Sequence, residues 1–315
     1  MPYILLTRGR KIALVLISAI LAQLPLLYLL MFERKALINS IKPVGYSLYM
    51  ISSIKVISII LLSIILALLP YSIIYTFNRM YLDSIDKNLS PFFKALAESV
   101  RAGMPFHKAM ESVARVTPGP LGAEIKKLLV KVELGASLNS ALNSFAEKFG
   151  VPSIRRAVTV LITASESGGK VVEVLDTAAE MHGLLRAYEE ERRTRIAPYS
   201  WIIYMSIGLF LIVSFILIYA FLEPLSVLIS AGAFLGIPRI DISVFKAVLF
   251  ITAALQAFFG GLLVGKIRTG TIYAGFFHVI VLLVAVIVSF NLMEIYGPVV
   301  TRAIFMIPAP TPPSP

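Results

Sequence analysis

The sequence predicts an all-α, polytopic membrane protein with about five transmembrane helices and a six-helix bundle built from three hairpins. Two observations carry that prediction. Five apolar segments, at residues 12–32, 56–77, 201–222, 245–265 and 272–293, each reach the roughly 20 residues that a helix needs to cross a bilayer. Between the second and third lies a 118-residue polar stretch, 78–195, in which one short phrase recurs three times. Composition agrees, with 58% hydrophobic and 15% charged residues and a mean hydropathy of +0.85, values typical of membrane proteins.

The first span, 12–32, follows Arg8, Arg10 and Lys11 and resembles a signal peptide. No small-residue cleavage site closes it, so it reads as a retained span. No span carries Asp, Glu, Lys or Arg in its central part. Orientation follows the basic flanks. With the N-terminus inside, 22 of the 29 Lys/Arg fall on the cytoplasmic side, among them Lys266 and Arg268. The expected division is two N-terminal spans in 1–77, a cytoplasmic helical domain in 78–195, three spans in 196–296, and an extracytoplasmic Pro-rich tail in 297–315. The tail, proline-rich from Ile307, reads as extended.

Within the polar stretch the phrase is a Gly, a helix start, then an apolar pair. It reads Gly103-Met104-Pro105-Phe106-His107-Lys108-Ala109-Met110, then Gly135-Ala136-Ser137-Leu138-Asn139-Ser140-Ala141-Leu142. A looser copy begins at Gly168-Gly169-Lys170. Glycine just past a helix end tolerates the left-handed turn that stops it. Pro105 suits a first helical position and Ser137 an N-cap. Each phrase therefore predicts the elbow of a helical hairpin.

The first helix is expected to start at Ser90-Pro91, with Phe92, Phe93, Leu96 and Val100 inward. The second runs from Pro105 to about Val116 and stops at Thr117-Pro118-Gly119-Pro120. Leu121, Ile125, Leu128, Leu129 and Val132 form the stripe of the third. Leu138, Leu142 and Phe145 mark the fourth, and Ile154, Val158, Leu161 and Ile162 the fifth. In the sixth, Val171, Leu175, Ala178, His182 and Leu185 keep helical spacing. Residues 189–195 are then charged except Thr194, and no strong breaker precedes Pro198. This helix is expected to continue towards the third span as one rod, bent near Pro198. The period of 32 and 33 residues also fits a tetratricopeptide-like solenoid, but the aromatic and small-residue positions of that repeat are missing, which favours a compact bundle.

Catalytic and cofactor signatures are missing from the sequence. There is no Cys, hence no thiol chemistry and no Cys metal site. Gly168-Gly169-Lys170 lacks the earlier Gly (Ala164) and the following Ser/Thr (Val171) of a phosphate loop. His107, His182 and His278 are isolated. His107 with Glu111 reads as a surface pair, His182 as a hydrogen-bonded core residue, and His278 as a polar group facing other helices in a span. The net charge of +11 does not indicate nucleic acid, because 17 Lys/Arg and 14 Asp/Glu are interspersed through 78–195. Gly261 and Gly265 make a GxxxG pattern in the fourth span that permits close helix approach, within the chain or between copies. Candidates for a partner interface are Arg101, Lys108, Lys126, Lys127, Glu189, Arg192, Arg193 and Arg195. The arginines nearest the span could equally reach lipid headgroups.

Two phrases carry a family resemblance: Leu96-Ala97-Glu98-Ser99-Val100-Arg101-Ala102-Gly103-Met104-Pro105-Phe106 and Ala164-Ser165-Glu166-Ser167-Gly168-Gly169. They resemble the type II secretion system F domain family over residues 91–222, and Pro118–Leu121 with the Glu/Arg-rich sixth helix looks most like its archaeal members. The resemblance implies a non-enzymatic membrane platform for a type IV pilus or archaellum. It would relay motion from a cytoplasmic hexameric ATPase to pilin or archaellin subunits, with no cofactor. Members with two F domains and three spans differ from this chain, so a homodimer or a second related chain would supply the missing half. A membrane receptor with a helical signalling bundle is the alternative, but the outer loops, 33–55 and 223–244, are short for a ligand domain. A transporter is disfavoured by the charge-free spans.

Overall fold

The computed structural model describes residues 8–44, 48–230 and 241–305. These are almost wholly helical. Among the described residues five helices are long and apolar enough to cross a membrane, in Ile12–Phe32, Ile54–Arg101, Gly168–Ser226, Ile242–Thr269 and Ile272–Gly297. The protein is an all-α, multi-pass membrane protein, and each predicted span falls within one of these helices. The chain divides into two compact units, one spanning Ile74–Arg195 and the other taking in the residues on either side of it.

In the membrane unit, α1 (Arg8–Phe32) is followed by a short α2 (Arg34–Ser40) and a hairpin of β1 (Ile41–Val44) and β2 (Leu48–Ile51). The strands pair antiparallel from Ile41↔Ile51 to Val44↔Leu48. Ser52 closes the ladder, donating its amide and its hydroxyl to the Ser40 carbonyl at 2.8 and 2.9 Å. The sequence reading had only a loop here. Four residues per strand offer too little alternation to register as a pattern.

Helix α3 (Ile54–Arg101) runs unbroken through Pro91, so the expected helix start at Ser90-Pro91 is wrong. The reason lies upstream. Ile85, Leu89, Phe92 and Leu96, all at most 2% exposed, recur at helical spacing across the proline. One continuous apolar stripe outweighs the backbone hydrogen bond that Pro91 cannot donate. The bundle continues with α4 (Phe106–Val116), α5 (Pro120–Glu133), α6 (Leu138–Phe149) and α7 (Pro152–Glu166). Pro105 is the N-cap of α4, one position earlier than expected. The sixth helix, α8 (Val171–Phe215), passes through Pro198 and continues as a π-helical segment, Ile216–Leu222, to α9 (Glu223–Ser230). Along it Val171, Leu175, Ala178 and His182 are buried, but Leu185 is 42% exposed. The expected stripe therefore ends one turn early. There Arg186 takes the inward position against Asp83 and Asp86.

Two of the elbows share one geometry. Gly103 and Gly135 have φ of +87° and +100°. At the first, Gly103 N–H donates to Val100 O and Met104 N–H to Ser99 O; at the second, Gly135 N–H donates to Val132 O and Ala136 N–H to Lys131 O. This is the Schellman arrangement at both ends. Gly168 (φ +55°) begins a 3-10 turn instead, Gly168–Lys170, and Gly169 has no positive φ. Ser137 caps α6, accepting from the Ser140 amide at 3.2 Å. A side chain added at Gly135 would meet nothing within 4 Å, so its penalty is purely conformational. Gly135→Val should cost about 1–2 kcal/mol, read as a lower melting temperature of the expressed 78–195 domain. An unchanged melting temperature would show that the elbow does not need glycine.

The remaining spans are α10 (Ile242–Thr269) and α11 (Gly275–Phe305). Helix α11 extends past the expected span end at 293, while the proline-rich segment 307–315 lies outside the described residues. Gly261 and Gly265 sit where α10 meets α11. A Cβ on Gly265 would fall 2.0 Å from Gly275 N, and one on Gly261 2.5 Å from Val279 N. The GxxxG pattern thus has a partner within the chain.

Candidate functional site

The unit spanning Ile74–Arg195 has its own core. Its buried cluster runs from Ile85 to Ala179 and includes Phe92, Phe93, Met110, Leu142 and Leu161. Packing follows chain order, with α4 against α5, α5 against α6, and α6 against α7. Consecutive antiparallel helices bring the three glycine elbows to one end. Two cross-links hold that end together: Arg101 with Asp176 at 2.5 Å, and Asn139 donating to Glu166 at 2.7 Å. At the opposite end the chain enters through α3 and leaves through α8. There Arg186 bonds Asp83 and Asp86 at 3.1 and 3.3 Å, and Arg193 reaches Asp83 at 3.6 Å.

Asp176 and Arg193 are 17 residues apart on α8, about 26 Å at 1.5 Å per residue. The predicted interface residues therefore do not form one patch. Arg101 and Lys108 lie by the elbow end, Lys108 pairing with Glu111 at 3.3 Å. Glu189, Arg192, Arg193 and Arg195 are exposed at the end where the chain enters and leaves, Arg195 bonding Glu191 at 2.7 Å. Lys126 and Lys127 are exposed on α5. The expected His107–Glu111 pair is replaced by Lys108 and Arg115, whose flexible cationic chains reach the carboxylate, Arg115 at 2.6 Å. His182 is buried and packs against the Phe93 ring at 5.6 Å. His278 lies against another helix, its Nδ1 2.6 Å from the Tyr204 hydroxyl.

One polar cluster escaped the sequence reading. Glu124 is only 5% exposed and pairs with Lys127 at 2.8 Å and with Lys148. Tyr81 donates its hydroxyl to the same carboxylate at 3.1 Å. Lys148 also lies 5.0 Å over the Phe149 ring. These groups line a cleft of about 530 Å³ that includes Phe77, Met80 and Gly119. A carboxylate at position 124, inside the stripe of Leu121, Ile125 and Leu128, was the available signal. Burial raises the Glu124 pKa, but the two ammonium groups outweigh it and hold the carboxyl below its ordinary 4.5. Burial and the Glu124 charge push the Tyr81 phenol up to about 12.

A lowered folded-state value means stability present above the unfolded pKa and lost as pH falls through the folded one. The 78–195 domain should therefore weaken below about pH 4.3. Glu124→Gln should cost about 1–3 kcal/mol at pH 7 and flatten that acid limb. Urea unfolding at pH 7 and at pH 4 measures both, and an unaltered acid limb would show that Glu124 is not its source.

Among the described residues no group of three His, Cys, Asp or Glu comes together that could hold a metal ion. The structure offers charged surfaces and a long helix, Val171–Phe215. Residues 92–219 match the family described as Type II secretion system (T2SS), protein F. That match contains all three elbows and the whole of α8. An uncharacterized protein of Methanocaldococcus jannaschii is 26% identical over 206 residues, covering 65% of this chain and 33% of the relative. The matched region is thus about a third of that protein's length. No solved structure matches the chain.

Proposed function

Because residues 92–219 carry a domain of the type II secretion system protein F family, we propose that the chain is the membrane platform for a type IV pilus-like filament, of archaeal type. It couples a cytoplasmic secretion ATPase to the insertion of pilin subunits. The ATPase supplies hydrolysis, and this chain supplies geometry. In this reading residues 78–195 face the cytoplasm, the side that the basic flanks of the spans favour. The observation that carries the proposal is α8. One helix, Val171–Phe215, belongs to the bundle over its first part and to an apolar span over its second. In this reading that helix is the part through which a push on the bundle would reach the membrane.

The exposed arginines at the end of the bundle are where a motor could act on the lever. Surface ion pairs contribute only about 0–1 kcal/mol to folding. Charge reversal, Arg192→Glu with Arg193→Glu, should therefore leave expression and membrane insertion intact while lowering ATPase co-purification and filament number several-fold. Lysine at both positions keeps the attraction to lipid headgroups but loses planar, bidentate pairing with carboxylates. Filament counts by electron microscopy in the two double variants test the proposal. Normal filament number in the Glu variant would make this stretch a solvated strut.

A further inference from the structure

The cleft beside Glu124 holds more positive charge than its carboxylate needs. Lys127 and Lys148 both pair with Glu124, so one positive charge is left over. An ammonium has three donors, and each lysine spends one on Glu124, which leaves two on each for a ligand. The Lys127 side chain is 68% exposed and that of Lys148 31%. Both line the open cleft of about 530 Å³, together with the exposed Phe77 and Met80. The lining is thus cationic in one part and apolar in another. Its place along α3 says what it faces. Phe77 ends the second apolar segment, and polar residues follow from Asn78. Tyr81 lies four residues further along the same helix, about 6 Å at 1.5 Å per residue. The headgroup layer is about 5–8 Å deep on each side of the hydrocarbon core. Arg79 donates to the Tyr75 hydroxyl at 3.3 Å, a basic and an aromatic residue of the types that gather at that boundary.

We infer that this cleft binds the headgroup of an anionic membrane phospholipid, its phosphate held by Lys127 and Lys148 and its glycerol end against Phe77 and Met80. A phosphodiester carries one negative charge and so matches the one positive charge that Glu124 leaves over. Both lysines carry their ammonium groups on apolar stems, which lie along hydrocarbon while the charge meets headgroups. Glu124 is the positioning residue. It is 5% exposed, sits between the two ammonium groups, and accepts from Tyr81 at 3.1 Å, so it holds both lysines at one place in the cleft. A soluble anion would use the charge but not the apolar part of the lining, and this selects a lipid. A bound headgroup would fasten α5 and α6, which carry the lysines, to the membrane surface.

The inference uses the cleft and not the filament reading, so either can fail alone. The full chain, purified in an uncharged detergent and titrated with phosphatidylglycerol, should retain that lipid when bound molecules are counted by native mass spectrometry. Phosphatidylcholine, whose choline cancels the phosphate charge, should be retained more weakly, and excess inorganic phosphate should not displace the phosphatidylglycerol. Lys127→Gln should weaken retention about five-fold, the attraction of one lysine for an anionic headgroup. Its melting temperature should stay unchanged, because Lys127 is exposed. Lys127→Arg should keep the lipid, and Met80→Asp, which sets a negative charge in the apolar part of the lining, should weaken it as Lys127→Gln does. Lys126→Gln removes the same charge from the next position on α5, outside the cleft, and should retain lipid normally. Equal retention by the wild type and Lys127→Gln, or an equal loss in Lys126→Gln, would overturn the assignment. Displacement by inorganic phosphate would make the cleft a site for free anions. A wild type that retains no lipid, or retains both lipids equally, would overturn it as well.

Discussion

Replacing Gly265 by valine should destabilise the membrane unit more than any other single change considered. The added Cβ would fall 2.0 and 2.1 Å from the backbone N and Cα of Gly275. Backbone cannot rotate away as a side-chain tip does, so α10 and α11 would have to separate. Their contact is a tight one. Phe250 stacks on Phe290 at 4.6 Å, and Ala253, Ala257, Val279 and Val286 are fully buried between the helices. Without a hydrophobic drive between helices in lipid, such close packing is what holds them. The expected loss is about 3 kcal/mol, the upper end for overpacking, seen as a large fall in thermal midpoint in detergent or as failure to accumulate in the membrane. Gly208→Ala on α8 is the control, since nothing lies within 4 Å of the added carbon. A normal midpoint for Gly265→Val would show that the two helices do not meet at that glycine.

The second large effect is in the unit spanning Ile74–Arg195. Phe93 is fully buried, 6.3 Å from the Phe92 ring and 5.6 Å from His182. Phe93→Ala removes that packing and leaves a cavity beside the α3–α8 contact, a change that costs about 3–5 kcal/mol. Against a typical domain stability of about 5–15 kcal/mol, the isolated 78–195 domain would be left marginal. Urea unfolding followed by circular dichroism measures the loss. A change under about 1 kcal/mol would contradict the position assigned to Phe93.

Local signals were read well and long-range ones were not. Gly103 and Gly135 announce helix ends because the left-handed turn is a property of a few consecutive residues. The apolar stripes of α5, α6 and α7 are likewise visible within one element. Pro91 misled because a breaker was weighed without the upstream Ile85 and Leu89, which keep the helix in phase across it. Glu124 was missed because its partners, Tyr81 and Lys148, lie 43 and 24 residues away. Gly275 was missed for the same reason: its value is set by Leu262, whose Cα would be 2.7 Å from an added Cβ. Gly122 is a further case. It is buried in the first turn of α5, where a Cβ would lie 2.4 Å from the Thr117 carbonyl oxygen, yet in sequence it is a single small residue two places after a proline. Leu185 kept helical spacing, but spacing alone does not say that Arg186 wins the inward place through two aspartates on another helix.

The platform account makes its most direct commitment about which side of the membrane meets the motor. Membrane vesicles holding the full chain can be prepared right-side-out or inverted, and incubated with the purified secretion-type ATPase of the same cell. The account predicts saturable binding to inverted vesicles only, reduced several-fold by glutamate at Arg192 and Arg193 and abolished when protease first removes residues 78–195. Equal binding to both vesicle types, or none to either, would contradict it.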